Sequence, residues 1–369
     1  MKILVKAYIA QNLGDDLFLK LLLDKYPQIQ FSLIDGRKQG IYSQYVPFQL
    51  ITFVSKLPQK ILLFINRKIA DKYTNYIISR RLEKKSKYYD AAIILGGSMF
   101  IQGKKGFNSD DITKMSIIKY FQHSFIIGAN FGPYIEYEYI SKYKEIFDKC
   151  DYISLRDKYS YELLGNMLNS SYYPDIVFQI KHRLQQKLPN TVGISVIDLS
   201  NRGKLSLKVN DYQNFIIALV TALRDNGKNI YLFSFCKQEG DETAIDRIIK
   251  KTGNDGIQVV KYSGEIDSFL DIYSSMEAMF CTRFHSMILS LLNSHYMIPL
   301  IYSKKMTQVL EDIDYSGSVI DLYEIEKVEV SQIIRDLYSY RYKMPLSICR
   351  ESEKMFEYFE GFIKSNSDR

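Results

Sequence analysis

Two of the four histidines in this 369-residue chain lie in one stretch, CTRFHSMILSLLNSHYMIPLIYSKKM, which covers residues 281–306. Arg283 and His285 sit two apart where an apolar run at 278–282 gives way to a helical pattern. The amino end of such a helix offers unpaired N–H groups and a partial positive charge. A guanidinium beside it suits a two-point grip on a carboxylate or phosphate, and an imidazole with an ordinary pKa near ~6.5 is poised to give a proton at neutral pH. The stretch is therefore expected to be an anion site with a proton donor at hand. His295 at the far end of the helix is expected to be a C-terminal cap residue, and His123 and His182 have no comparable neighbours.

Three further loops at expected strand ends carry candidate chemistry. In AQNLGDD, residues 10–16, Gly14 permits a tight turn and Asp15 or Asp16 can cap the following helix. The functional reading of the same loop offers backbone amides, Asn12 and a carboxylate to a saccharide. In LGGSMF, residues 95–100, a glycine pair lets N–H groups approach a ligand, but no Gly-Lys-Ser/Thr follows, so it is not a nucleotide phosphate loop. GANFGPY at 128–134 is a third glycine turn, and SLRDKYS follows it. There Arg156 closes a strand and Asp157 opens a helix. Either the two form a local pair or N-cap, or Arg156 points into a ligand cleft.

The elements that must hold these loops alternate along the chain. Buried strands are expected at 2–8, 30–34, 91–95, 125–128 and 152–155, with helical spacing at 15–26, 110–122, 137–149 and 158–168. After Pro174 and Pro189 the rhythm restarts, with strands at 191–197, 229–235, 257–260, 278–282, 297–301 and 318–320 and helices at 211–226 and 241–251. This predicts an α/β protein of two doubly wound, Rossmann-like domains, 1–180 and 188–344, with ligands beyond the carboxyl ends of the strands and in the cleft between the halves. A terminal helix within 345–369 is expected to cross back to the first domain.

Composition fits this plan. With 46% apolar and 25% charged residues the chain is globular in character, and 369 residues favour two cores over one. Long apolar stretches such as those at 61–65 and 287–292 fall far short of the ~18 residues that span a bilayer. The amino end, with Lys6 inside its short apolar run, reads as a strand and not a signal peptide. Cys150, Cys236, Cys281 and Cys349 are too scattered for a zinc site or thiol exchange, and four free thiols imply a cytoplasmic location.

The net charge of +7 is concentrated. Residues 56–87 hold ten Lys/Arg against Asp71 and Glu83, or +8, so the remainder is near neutral. These charges are interleaved with Phe53, Leu57, Phe64 and other apolar residues in an insertion at about 45–90. Two readings fit: a basic amphipathic helix on an anionic membrane surface through residues 53–87, or solvated helices whose apolar side closes the domain. No nucleic-acid reader motif accompanies the charge.

Taken together the loops resemble the polysaccharide pyruvyl transferase family. Its Asn-x-Gly-Asp turn is matched by Asn12 to Asp15, its glycine-rich turn by Gly96, Gly97 and Ser98, its Gly-x-x-x-Gly-Pro stretch by Gly128 to Pro133, and its Arg-Asp-x-x-Ser segment by Arg156 to Ser160. Pro174-Asp175, the Gly-Ile-Ser strand at Gly193 to Ser195, Arg283-Phe284-His285 and Tyr302-x-x-Lys305 follow in the family's order. The third glycine of the turn is Ser98 here, and the arginine expected soon after Gly-Ile-Ser is absent from 196–198, leaving Arg202 to serve.

The resemblance implies a glycosyltransferase-B-like fold and an enzyme that takes phosphoenolpyruvate as donor and forms a pyruvate ketal on a sugar of a cell-surface polysaccharide or lipid-linked precursor. It implies that Arg156, Arg283, Phe284 and Lys305 bind the donor and that His285 is the general acid, with Asp15 as the candidate base. Asn12, Gly14, Gly97, Ser98 and Asn130 are expected on the acceptor side. No metal and no cofactor beyond the donor substrate is expected, and the protein is placed in the cytoplasm, peripheral on the inner face of the membrane. Two other readings stand beside this one. They are a nucleotide-sugar-dependent glycosyltransferase of the same fold and a non-catalytic scaffold in glycan assembly, the latter disfavoured by the joint presence of Arg156, Arg283, His285 and Lys305.

Overall fold

The computed structural model describes residues 1–103, 106–165, 167–181 and 185–367. The chain divides into two compact units, one made of Met1–Ile9, Phe18–Ile176 and Arg350–Arg369, the other of Ala10–Leu17 and Val177–Cys349. His182 lies outside the described residues.

The first unit is built on seven parallel strands, β1 (Lys2–Lys6), β2 (Gln30–Ile34), β3 (Val46–Phe48), β4 (Ala91–Leu95), β5 (Ser124–Ala129), β6 (Tyr152–Leu155) and β7 (Ser170–Tyr172), in the order β3-β2-β1-β4-β5-β6-β7. β4 and β5 are buried along their whole length, as parallel strands covered on both faces must be. Helices α1 (Leu13–Lys25), α2 (Phe53–Ile65), α3 (Arg67–Ser86), α4 (Ser109–Tyr120), α5 (Tyr137–Phe147) and α6 (Lys158–Leu163) connect the strands. The α4 start is fixed by a capping box, in which Asn108 accepts from the Asp111 N–H and Asp111 accepts from the Asn108 N–H. α6 stops at Leu163, well before the expected 168, because Gly165 takes φ +79 and turns the chain. β3 and β7, absent from the expectations, are three-residue strands at the two sheet edges, too short to show a period.

The second unit carries six parallel strands, β8 (Thr191–Ser195), β9 (Asn229–Ser234), β10 (Ile257–Lys261), β11 (Ala278–Cys281), β12 (Tyr296–Ile301) and β13 (Ile320–Asp321), ordered β10-β9-β8-β11-β12-β13. Its helices are α7 (Val209–Asp225), α8 (Asp241–Thr252), α9 (Ile266–Ser274), α10 (Phe284–Leu292), α11 (Lys304–Asp312) and α12 (Val330–Asp336). Val192, Ile194, Ile216, Leu219, Leu232 and Phe280 are among the residues of a separate core here. Gly193 is required by packing, since a Cβ would meet the Phe233 ring at 2.8 Å and the Met279 thioether closer still.

The end of the chain forms α13 (Leu346–Glu353) and α14 (Glu357–Ser367), separated by a tight turn at Lys354–Phe356 where one helix was expected. Within the first unit, Tyr26 meets Phe356 and Phe359 edge-on, Tyr358 stacks on Tyr152, and Phe362 packs against Phe125.

Candidate active site

In the second unit, β11 ends at Cys281 and α10 begins at Phe284, with Arg283 as its N-cap residue. The turn is pinned by Ser195 at the end of β8, whose hydroxyl accepts from the N–H groups of Thr282 (2.8 Å) and Arg283 (3.1 Å). This is what the serine of Gly-Ile-Ser does.

The Arg283 side chain is 6% exposed, and each of its three nitrogens donates to a carboxylate. Its Nε and Nη2 grip the two oxygens of Asp241, and Nη1 donates to Glu239. Asp241 also accepts from the Phe235 (3.0 Å) and Cys236 (2.9 Å) N–H groups. Burial works against the Arg283 charge, but Asp241 and then Glu239 outweigh it and raise its pKa, so the guanidinium stays protonated. Glu239 is shared: Arg202 donates to it at 2.6 Å and Asn12 Nδ2 at 3.2 Å. Burial pushes the Glu239 carboxyl up, yet Arg283 and Arg202 together bring it down to about 2. Arg202 thus joins Arg283 through one carboxylate and lies over the Tyr302 ring. Two guanidiniums and two carboxylates sum to zero charge here.

Lys305 and His285 lie around this network. Lys305, in the first turn of α11, holds its Nζ 4.9 Å from the Phe284 ring centroid, and that ring lies 5.0 Å from the imidazole of His285. His285 is half-buried. On its other side stands the first turn of α1: a Cβ on Gly14 would lie 2.6 Å from Cγ and Cε1 of the imidazole and nearer still to Nδ1. Ala10–Leu17 packs within this unit through a Leu13 N–H to Phe235 O bond (3.1 Å) and a bridge between Asn12 and Cys236. Asn12 caps the turn, accepting from the Gly14 N–H at 3.1 Å. Asp16 is fully buried and accepts from the Tyr262 hydroxyl at 2.6 Å. Asp15, half-buried, follows Gly14 directly. Asn12, Gly14, Asp15, Arg283, Phe284, His285 and Lys305 are therefore gathered in one unit.

The first unit gathers the others at the carboxyl ends of β4, β5 and β6. Arg156 is 3% exposed. Its Nη1 donates to Asp175 at 2.9 Å, Nε and Nη2 donate to Asn130 Oδ1 at 3.2 and 2.7 Å, and Nη2 reaches Ser98 Oγ at 3.4 Å. The Gly97 carbonyl accepts from the Asn130 N–H at 2.9 Å. Asp157 is not the partner of Arg156; it caps α6 through the Ser160 N–H (2.7 Å), while Ser160 Oγ accepts from the Phe131 N–H (2.8 Å). The glycine turn is further held by buried Lys114, which donates to the Met99 carbonyl and pairs with Asp110 and Asp111.

Among the other histidines, His123 pairs with Asp151 at 2.8 Å and lies against Phe362. The cap expectation for His295 needs correction. Asn293 is the C-cap of α10, and the buried His295 ring sits between Ser290 Oγ and the Ser274 carbonyl, because the chain turns inward there to start β12. Glu239 and Asp241 were missed in the sequence, although a buried arginine demands counter-charges. Their signal was QEGDE at 238–242, a strand-end turn of the same Gly-Asp form as NLGD.

Among the described residues no group of three or more His, Cys, Asp and Glu could hold a metal ion, and no helix is long and apolar enough to cross a membrane. A family model described as polysaccharide pyruvyl transferase matches residues 12–304. Similar solved structures include a UDP-GlcNAc 2-epimerase from Methanocaldococcus jannaschii (8% identity over 98% of this chain and 100% of that one, TM-score 0.59). Another is the UDP-GlcNAc 2-epimerase from Neisseria meningitidis bound to UDP-GlcNAc (10% identity, 98% and 100% covered, TM-score 0.58). At these identities the likeness speaks for the fold, two Rossmann-like domains of the glycosyltransferase-B type.

Proposed function

The chain belongs to the polysaccharide pyruvyl transferase family, and from that premise we propose that it uses phosphoenolpyruvate to build a pyruvate ketal on a sugar of a cell-surface glycan precursor. The observation that carries this reading is the turn in which Arg283, Phe284 and His285 meet Lys305 on one side and the Gly14 turn on the other.

Phosphoenolpyruvate is a small, dense anion, and its pocket must supply fixed positive charge and N–H dipoles. Lys305, the amino end of α10 and the Arg283 N–H groups not taken by carboxylates supply these in the second unit, with Phe284 adding main-chain contact. Arg156 is likewise assigned to the donor's charge. The His285 imidazolium gives its proton to the donor's methylene carbon, leaving an oxocarbenium-like centre at C2. One sugar hydroxyl attacks that carbon and loses its proton to Asp15; inorganic phosphate departs, and the second hydroxyl closes the ketal ring as its proton passes to the His285 imidazole left neutral by the first step. Asn12, Gly14, Gly97, Ser98 and Asn130 are assigned to the acceptor. The acceptor is a saccharide precursor, free or lipid-linked, met at the inner face of the cell membrane, where the protein sits peripherally.

The test incubates purified protein with phosphoenolpyruvate and a panel of synthetic and lipid-linked glycans. Acceptor-dependent release of inorganic phosphate, with a new ketal on the glycan by mass, is the expected result. Consumption of a nucleotide sugar with no use of phosphoenolpyruvate would overturn it.

A further inference from the structure

A helix at a protein surface ordinarily turns its apolar stripe inward and its polar residues to water. α2 does the reverse. Among the described side chains of α2, Ser55, Gln59 and Leu62, spaced i, i+4, i+7, are the half-buried ones, and Gln59 Nε2 donates to Thr74 Oγ1 of α3 at 2.8 Å. On the opposite side Leu57, Ile61 and Phe64 repeat the same spacing and share one face, with 53%, 59% and 94% of their surfaces exposed. A packing role would bury those three side chains and expose Gln59.

Charge identifies what covers this ridge. Lys56 and Lys60 on α2 and Arg67, Lys68 and Lys72 on α3 are all exposed, within a segment holding ten basic and two acidic residues. Ile69 and Tyr76 continue the exposed apolar surface along α3 between those cations. A second copy of the same face would bring like charge against like charge. Nucleic acid would satisfy the lysines and leave the ridge in water. An anionic bilayer satisfies both, with acyl chains for Leu57, Ile61 and Phe64 and phosphate headgroups for the lysines and arginines.

We infer that α2 is an in-plane anchor that seats on an anionic phospholipid surface with Leu57, Ile61 and Phe64 in the acyl region and the α2–α3 cations among the headgroups. The inference rests on the membrane placement proposed above and is independent of pyruvyl transfer.

Flotation of the full chain with vesicles of phosphatidylcholine, with and without phosphatidylglycerol, tests it. Binding is expected only to the phosphatidylglycerol vesicles and is expected to weaken as salt rises. The double variant Ile61→Asp/Phe64→Asp is expected to lower the partition coefficient by at least about tenfold, as is Lys56→Glu/Lys60→Glu/Lys68→Glu. Because all five side chains are exposed, circular dichroism and Tm are expected to be unchanged. Equal binding to both vesicle types, binding to neither, or loss of a dimer in sedimentation of the Asp variant would overturn the inference. Phosphate release with a water-soluble acceptor separates the two readings: variants that turn over normally but leave the vesicles support the anchor. A wild-type chain that floats yet releases no phosphate refutes the transferase assignment alone.

Discussion

The imidazole of His285 lies so close to the Cα of Gly14 that any side chain there would overlap the ring. The glycine of the Asn-Leu-Gly-Asp turn is thus a spacing device as well as a turn residue. Gly14→Ala must displace the imidazole or the first turn of α1, at a stability cost of about 1–3 kcal/mol. We expect kcat to fall at least about a hundredfold, since a misplaced catalytic group forfeits its proximity advantage, while donor affinity changes little. His285→Ala should abolish turnover and also leave donor affinity largely intact. Calorimetric titration with phosphoenolpyruvate beside steady-state phosphate release checks both; a Gly14→Ala enzyme with normal kcat contradicts the assignment of His285 as the acid.

Arg283 cannot be removed cleanly, because Asp241 beneath it is fully buried. Arg283→Ala is expected to weaken donor binding and to cost about 3–5 kcal/mol of stability by leaving that carboxylate uncompensated. Arg283→Met combined with Asp241→Leu should restore much of the stability and none of the affinity. Urea unfolding and donor titration on the same three proteins separate the two effects. Equal donor affinity in wild type and Arg283→Ala would remove Arg283 from the donor site.

Much of this arrangement is written in local pattern. β2, β4 and β6 begin and end at the expected residues because each is a short apolar run closed by a turn, and the loops after β4, β5 and β11 are visible as glycines or an Arg-x-His at strand ends. The logic of the motifs is not visible locally. Nothing near Pro174 says that Asp175 pairs with Arg156, or that Ser195 pins the Arg283 turn, because both are contacts between neighbouring strands far apart in sequence. Glu239 and Asp241 escape for the same reason: a buried guanidinium requires counter-ions, but only the sheet order β9-β8-β11 says which turn supplies them. The placement of Ala10–Leu17 with the second unit is likewise a tertiary fact, carried by the Leu13 and Asn12 backbone bonds.

Glu239 links acid stability to the site. Burial raises its carboxyl, but Arg283 and Arg202 lower it to about 2 from an ordinary 4.5. A depressed folded-state pKa gives stability that is fully present above pH 4.5 and is lost as pH falls toward 2; the shift corresponds to about 3 kcal/mol. Glu239→Gln, which cannot titrate, should be less stable than wild type by up to about that amount at pH 6, and the two should converge near pH 2. Urea unfolding across that range reads the difference, and a gap that stays constant with pH would show that Glu239 acts by shape and not by charge.

Arg156 meets three acceptors at once, Asp175, Asn130 and Ser98, from a position 3% exposed. Only a planar fork spans them. A lysine keeps the charge but offers one compact ammonium, which reaches Asp175 or Asn130 and not both. Arg156→Lys should therefore lose at least one charge-assisted bond, about 2 kcal/mol, and loosen the turns after β4 and β5 that those bonds join. If Arg156 binds the donor's charge as proposed, donor affinity should drop about tenfold or more, whereas Ser98→Ala, which removes the long 3.4 Å contact and the Ser98 hydroxyl's bond to Asn130 at 3.2 Å but keeps every nitrogen of Arg156 paired, should leave it nearly unchanged. Melting curves and donor titration on the two variants decide the matter. Wild-type affinity in a destabilised Arg156→Lys protein would make Arg156 a structural tie between β4, β5 and β6 and remove it from the donor site.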